Sequence, residues 1–149
     1  MISIKSYLRS PSGEFLSLSD CGAPPVDERH VEGAIEVVVD DVTVIDRSMW
    51  DDVDQLWAYI IDMIQVLEAS GESHTYFPDQ PIKLSLRKVG PELVLITLQA
   101  GEESRRATVD RQELIREIKR EAEDFFRQLS ILMPANASEY QEIVRRINY

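Results

Sequence analysis

The sequence predicts an α+β domain: a mostly antiparallel sheet, built from N-terminal strands and a hairpin plus a three-stranded meander, packed by a long central helix, a second amphipathic helix and a short C-terminal helix. Three observations lead there. Runs of β-branched and apolar residues alternate with period two and are joined by short turn-forming stretches, which suit hairpins and leave no room for parallel crossovers. Two longer stretches show apolar residues at three- and four-residue steps. The 149 residues contain no internal repeat or low-complexity tract, so the expectation is a single domain over residues 1–149. A chain of that size typically buries about 68–70% of its unfolded surface without needing staples.

Residues 2–8 alternate as a half-buried strand should, and Ser10-Pro11-Ser12-Gly13 turns the chain. Phe15, Leu16 and Leu18 suggest a short returning strand. From Ser19 to Gly33 the glycines, prolines and acids show little apolar periodicity and read as a surface loop. Ala34 to Ile45 is the clearest hairpin, with Asp40-Asp41 between two β-branched runs as a tight two-residue turn.

The stretch from Ser48 to Gly71 is the longest and most apolar with helical periodicity. Ser48 and Asp51 form an S-x-x-D start, and Asp51, Asp52 and Asp54 suit the positive end of a helix dipole. Leu56, Trp57, Ile60, Ile61, Ile64 and Leu67 make a wide apolar face, extended by Trp50 and Val53 and widened by Tyr59, Met63 and Val66. Such a helix should touch protein over more than half its circumference, within the chain or across a homodimer. Gly71 is a left-handed stop.

Glu72 to Pro81 reads as a loop with two prolines and two aromatics. Ile82–Leu86, Leu93–Leu98 and Arg105–Val109 then form the meander. Asp110 with Glu113 is a capping-box-like start to a second helix, whose stripe includes Leu114, Ile118, Ala122, Phe125, Phe126 and Leu129. Pro134 should end it. A last helix can start at Ser138 and carry Tyr140, Ile143, Val144 and Ile147 inward.

The net charge of −11 is unevenly placed: residues 1–79 hold 4 Lys/Arg against 16 Asp/Glu, whereas residues 80–149 hold 12 against 11. An acidic field of that kind repels nucleic acid and anionic lipid and attracts a basic protein surface or a cation. Its plainest role is solubility. Cys21 is the single cysteine, which predicts a reducing, cytoplasmic setting, and no basic-then-apolar leader or run of about 20 apolar residues suggests export or a membrane.

No constellation for catalysis stands out. Cys21, His30, Glu32 and His74 lack metal-ligand spacing, no phosphate loop is present, and nothing anchors a nucleophilic triad. The expectation is no catalytic residue, no metal and no cofactor. The candidates that remain are for binding. Asp40, Asp41, Asp46, Trp50, Asp51, Asp52 and Asp54 read as an acidic partner-binding surface gathered where the hairpin turn meets the helix start. Capping and solvation are the simpler account of the same carboxylates, and core packing is the simpler role for Trp50 and Trp57. His74, Tyr76 and Asp79 could line a ligand site against the central helix, or the aromatics could pack down over the helix end.

Met49-Trp50-Asp51 with Leu56-Trp57, followed by Thr75-Tyr76-Phe77-Pro78-Asp79-Gln80-Pro81, resembles a group of small, acidic, uncharacterised bacterial proteins, some of which look like immunity proteins of polymorphic toxin systems. The resemblance implies a non-enzymatic cytoplasmic inhibitor whose acidic surface covers a basic toxin domain. The alternative is a small-ligand-binding or enzymatic domain with its site between the 48–71 helix and the 72–81 loop.

Overall fold

The architecture was obtained as a computed structural model, which describes residues 1–21 and 29–148. The order is β1 (Ile2–Arg9), β2 (Phe15–Leu16), β3 (Glu32–Val39), β4 (Val42–Ile45), β5 (Asp51–Asp52), α1 (Val53–Ser70), β6 (Glu72–Tyr76), β7 (Ile82–Val89), β8 (Leu93–Ala100), β9 (Glu103–Asp110), α2 (Arg111–Leu132) and α3 (Ala137–Ile147). Short 3-10 turns cover Leu18–Asp20, Arg47–Met49 and Pro134–Asn136. The fold is α+β, and its strands form two antiparallel sheets. One runs β2-β1-β3-β4 with β5 also paired to β3; the other runs β6-β7-β8-β9.

Each sheet turns one face inward, as period-two patterning requires. Ile2, Ile4 and Leu8 of β1 and Ile35, Val37 and Val39 of β3 are buried, as are Leu84, Leu86, Val94, Ile96 and Leu98 of the second sheet. α1 packs against both sheets, touching β3 and β5 of the first and β6 and β7 of the second. Ile4, Ile35, Trp57, Leu84, Ile96 and Ile118 border one void of about 30 Å³, so both sheets, α1 and α2 share a single core. Trp57 is fully buried, and its indole N–H donates to Ser6 Oγ at 3.0 Å. The ring lies 6.4 Å from Phe125 of α2. α3 packs on α2 through Tyr140, whose ring is 5.6 Å from Phe126.

The start of α1 differs from the sequence expectation. Ser48 does not cap it. Asp46 instead accepts the Ser48 backbone N–H at 2.8 Å and its hydroxyl as well, closing the 3-10 turn over Arg47–Met49. The chain then runs extended through Trp50, and Asp51 and Asp52 pair with Gly33 and Glu32 of β3. Helix begins only at Val53, whose N–H is taken by Val31 O at 2.8 Å. A tertiary strand pairing thus replaced the local cap. Gly71 does end the helix in the left-handed region, at φ 88°, donating to Leu67 O.

Two further expectations change. Glu72–Tyr76 is a strand, not a loop, in full register with β7 from Glu72↔Arg87 to Tyr76↔Lys83. Of the surface loop expected from Ser19 to Gly33, Val31 is fully buried and Glu32–Gly33 belong to β3, while residues 22–28 lie outside the described residues. Gly33 is needed where it stands: a Cβ there would overlap the Tyr7 carbonyl oxygen and sit 2.8 Å from Val53 Cγ1.

The hairpin, the meander and both later helices form where expected. Asp40 and Asp41 occupy positive φ, 44° and 70°, the backbone of a two-residue turn with left-handed central residues. Asp110 accepts the Glu113 N–H at 3.0 Å, but the Glu113 carboxylate accepts from Ile2 N at 2.9 Å, tying α2 to β1 instead of completing a capping box. The apolar face of α1, which left a homodimer open, is covered within the chain. Only Tyr59 and Val66 of its expected apolar residues are exposed, at 38% and 50%. Among the described residues no helix is long and apolar enough to cross a membrane.

Candidate functional site

The seven residues expected to form one acidic surface are distributed over the molecule. Asp40 and Asp41 sit at the β3–β4 tip, where Asp40 receives the Met1 amino group. Trp50 to Asp52 lie at the other end of β3, about 20 Å away at ~3.3 Å per strand residue. The hairpin turn and the helix start therefore do not meet. Asp46 is consumed by its turn and by Arg105 Nη1 at 2.9 Å. Burial pushes its carboxyl up, but the bonds from Ser48 and Arg105 outweigh that and hold it below 3.8. Asp54 faces α3, accepting from the Tyr140 hydroxyl at 3.1 Å, and burial raises its carboxyl.

What the fold does assemble is a cleft of about 400 Å³ at the start of α1. His30, Glu32, Trp50, Asp52 and Asp79 line it, with Asp51 at its base. Asp51 is 3% exposed and Asp52 is 5% exposed. The Asp51 carboxylate is held by backbone donors: Asp79 N at 3.1 Å to both oxygens, Gln80 N at 2.9 Å and Asp52 N at 2.7 Å. The Gln80 side-chain amide donates to Trp50 O, closing the same contact. Asp51 is thus an anchor that fastens the turn after β6 to the start of α1. The short Asp51–Asp52 strand explains its burial, because pairing with β3 turns this carboxylate away from solvent.

Asp52 is placed differently. Its carboxylate faces exposed His30, Nδ1 to Oδ2 at 3.5 Å, and burial, reinforced by the charges of Asp79 and Asp51, raises its carboxyl. Oxygens of Asp51, Asp52 and Asp79 lie within 4.8 Å of one another. Carboxylates this close together could attract a cation. Asp51 already spends its lone pairs on N–H groups, so a cation entering here would be met by Asp52 and Asp79. At the rim, Arg9 lies 4.3 Å over the Trp50 ring and 3.6 Å from Glu32. The chain itself thus shows an arginine seated on the Trp50–Glu32 edge.

His74 and Tyr76 are not part of this cleft. They project from the outer face of β6, while Asp79 turns to Asp51; the structure separates the three residues proposed as one loop site. Tyr76 is 60% exposed with Lys83 Nζ 5.9 Å from its ring, whereas Phe77 is buried, so only Phe77 packs down as the simpler reading held. His74 instead borders a second groove of about 940 Å³ between α1 and the second sheet. Sequence spacing could bring together Trp50, Asp51 and Asp52 but not Asp79, His30 or Glu32, which reach them only through β3 pairing and the turn after β6. No protein-family model matches the chain, and no curated protein or solved structure proved similar to it.

Proposed function

We propose that this protein is a non-catalytic binding protein that receives a lysine or arginine side chain of a basic protein partner in the cleft at the start of α1, in the manner of an immunity-type inhibitor. The supporting observation is the buried Asp52 carboxylate, which faces exposed His30 at 3.5 Å, beside the Asp79 carboxylate, which has no ion-pair or hydrogen-bond partner among the described residues. The two carboxylates repel each other in a partly desolvated pocket, and an incoming cation relieves that repulsion. Trp50, over whose ring Arg9 already lies, lines the same cleft and offers an apolar edge to the aliphatic stem. The surrounding acidic half, 4 Lys/Arg against 16 Asp/Glu over residues 1–79, speeds encounter with a basic surface. Asp51 stabilises the cleft and does not dock the partner.

Titration with methylguanidinium, butylammonium and calcium, followed by Trp50 fluorescence and backbone NMR, tests the cleft directly. The organic cations should shift His30, Trp50 and Asp79 signals, and Asp79→Asn should abolish the response. A response to calcium alone would replace a partner side chain by a metal ion. Co-expression with the product of an adjacent toxin-like reading frame tests the biological form. Asp79→Lys should lose protection, and protection undiminished by Asp79→Lys would sink the reading.

A further inference from the structure

We infer that the groove between α1 and the outer face of β6–β9 is a second site, of opposite sign, that binds a small organic anion through Arg87 and Arg106. Strand register places the side chains. On the outward face His74, Ser85, Thr97 and Arg106 stand in one row across the four strands, and Glu72, Arg87, Leu95 and Thr108 stand in the next. Both arginines line the same groove, together with Ser85 and Thr97. Their Cα atoms are about 12 Å apart, from two strand spacings of ~4.8 Å and an offset of two residues along the strand. Two arginine side chains span that separation, with the two hydroxyls between them.

Charge pairing marks these two residues out. In a chain with 27 Asp/Glu against 16 Lys/Arg, carboxylates are in excess, and most arginines have one. Arg105 reaches Asp46 at 2.9 Å, Arg120 reaches Glu117 at 2.7 Å, Arg127 reaches Glu123 at 2.7 Å, and Arg145 reaches Glu142 at 3.0 Å. Arg87 and Arg106 have no carboxylate within 4.0 Å among the described residues. Glu72 is the cross-strand neighbour of Arg87 yet does not pair with it. The other acid lining the groove, Asp62, is 3.6 Å from Arg146 on α3. Two unpaired guanidiniums beside hydroxyl donors suit phosphate or carboxylate oxygens, which accept from the planar fork.

The opposite wall defines the rest of the ligand. Tyr59 and Val66 of α1 are exposed there, and Leu95 adds a half-buried apolar patch at the floor. An anion with an aromatic or aliphatic body fits this division, its charged end over Thr97 and its body against α1. The groove and the acidic cleft share no residue, so the two sites stand or fall separately.

The probes are phenyl phosphate, phthalate and inorganic phosphate, each titrated into the full chain and followed by backbone NMR. Phenyl phosphate or phthalate should shift Ser85, Thr97, Arg106 and Tyr59 together, and whichever binds more tightly identifies the anionic group. Inorganic phosphate should bind more weakly. The double variant R87Q/R106Q should weaken binding about tenfold or more, the equivalent of losing one charge-assisted hydrogen bond, with its fold confirmed by circular dichroism. Glu72→Gln should tighten it. No shifts in the groove at millimolar ligand, or shifts unchanged in R87Q/R106Q, would overturn the inference.

Discussion

The outer faces of the two sheets share a composition of aromatics and cations but not a fate. On the first, Arg9 stacks on Trp50 at 4.3 Å, and Arg47 lies 5.1 Å over Tyr7 and 3.6 Å from Glu36. Beneath them Ala34 is fully buried. On the second, only Lys83 meets a ring, and Arg87 and Arg106 stand unpaired. The difference lies in connectivity. β4 and β5 both pair with β3, so the segment from Asp46 to Trp50 has to loop over that face and covers it. In the second sheet each strand hairpins directly to its neighbour, and no connection crosses the outer face. An exposed cation is thus neutralised by the chain's own backtracking in one sheet and left for a ligand in the other.

The largest effect is expected where the first face is closed. Gly33→Ala should cost about 3 kcal/mol, because its Cβ meets backbone at Tyr7 O and cannot be relieved by a side-chain rotation. Denaturant midpoints measure it, and a loss below ~1 kcal/mol would show that β3 and α1 can separate cheaply. Asp51→Ala comes next, at about 2 kcal/mol, since it empties the place of a buried carboxylate and strands the part-buried N–H donors at Asp79 and Gln80. The contrast is Asp41→Ala, an exposed carboxylate expected to stay within about 0.5 kcal/mol.

The comparison of faces itself is sharpened by paired arginine truncations. Arg47→Ala removes a ring contact and an ion pair and should cost about 1 kcal/mol, whereas Arg87→Ala should change stability by less than ~0.5 kcal/mol. Equal costs would mean that the second face is packed as firmly as the first. The smallest effects are those of pH. Asp46 is held below its ordinary 3.8, so its stabilisation is present above that value and is lost as pH falls through the lower folded value. Asp54 is raised above 3.8, so its charge opposes folding at neutral pH and that cost fades as pH falls through the raised value toward 3.8. Urea midpoints from neutral pH to pH 3 should therefore show the advantage of wild type over Asp46→Asn shrinking only at the acid end. The Asp54→Asn difference should shrink earlier, before 3.8 is reached.

Much of the fold was legible because it depends on short-range rules. The alternation of residues 2–8 and 82–109, the positive-φ turn at Asp40-Asp41, the glycine stop at Gly71 and the Asp110 start of α2 each depend on neighbours a few positions away. The start of α1 departs from its local pattern because distant pairing overrides it. Ser48 and Asp51 match a capping pattern locally, yet Asp46 captures Ser48 and β3 captures Asp51. The strand β6 was hidden because its inward residues, Ser73 and Thr75, are small and polar, so Glu72–Tyr76 carries no apolar alternation.

The sequence by itself determined the fold class, the helix that threads the core, the acidic bias of residues 1–79 and which residue types were available for binding. Only the tertiary structure decided which of them act together. Asp40 and Asp52 are 12 positions apart and end at opposite ends of β3, whereas Asp51 and Asp79, 28 apart, are joined by hydrogen bonds. The physical reason is that charge and periodicity are properties of the chain read along its length. Burial, pairing and the sign of a cleft arise when strand register folds distant stretches onto one another.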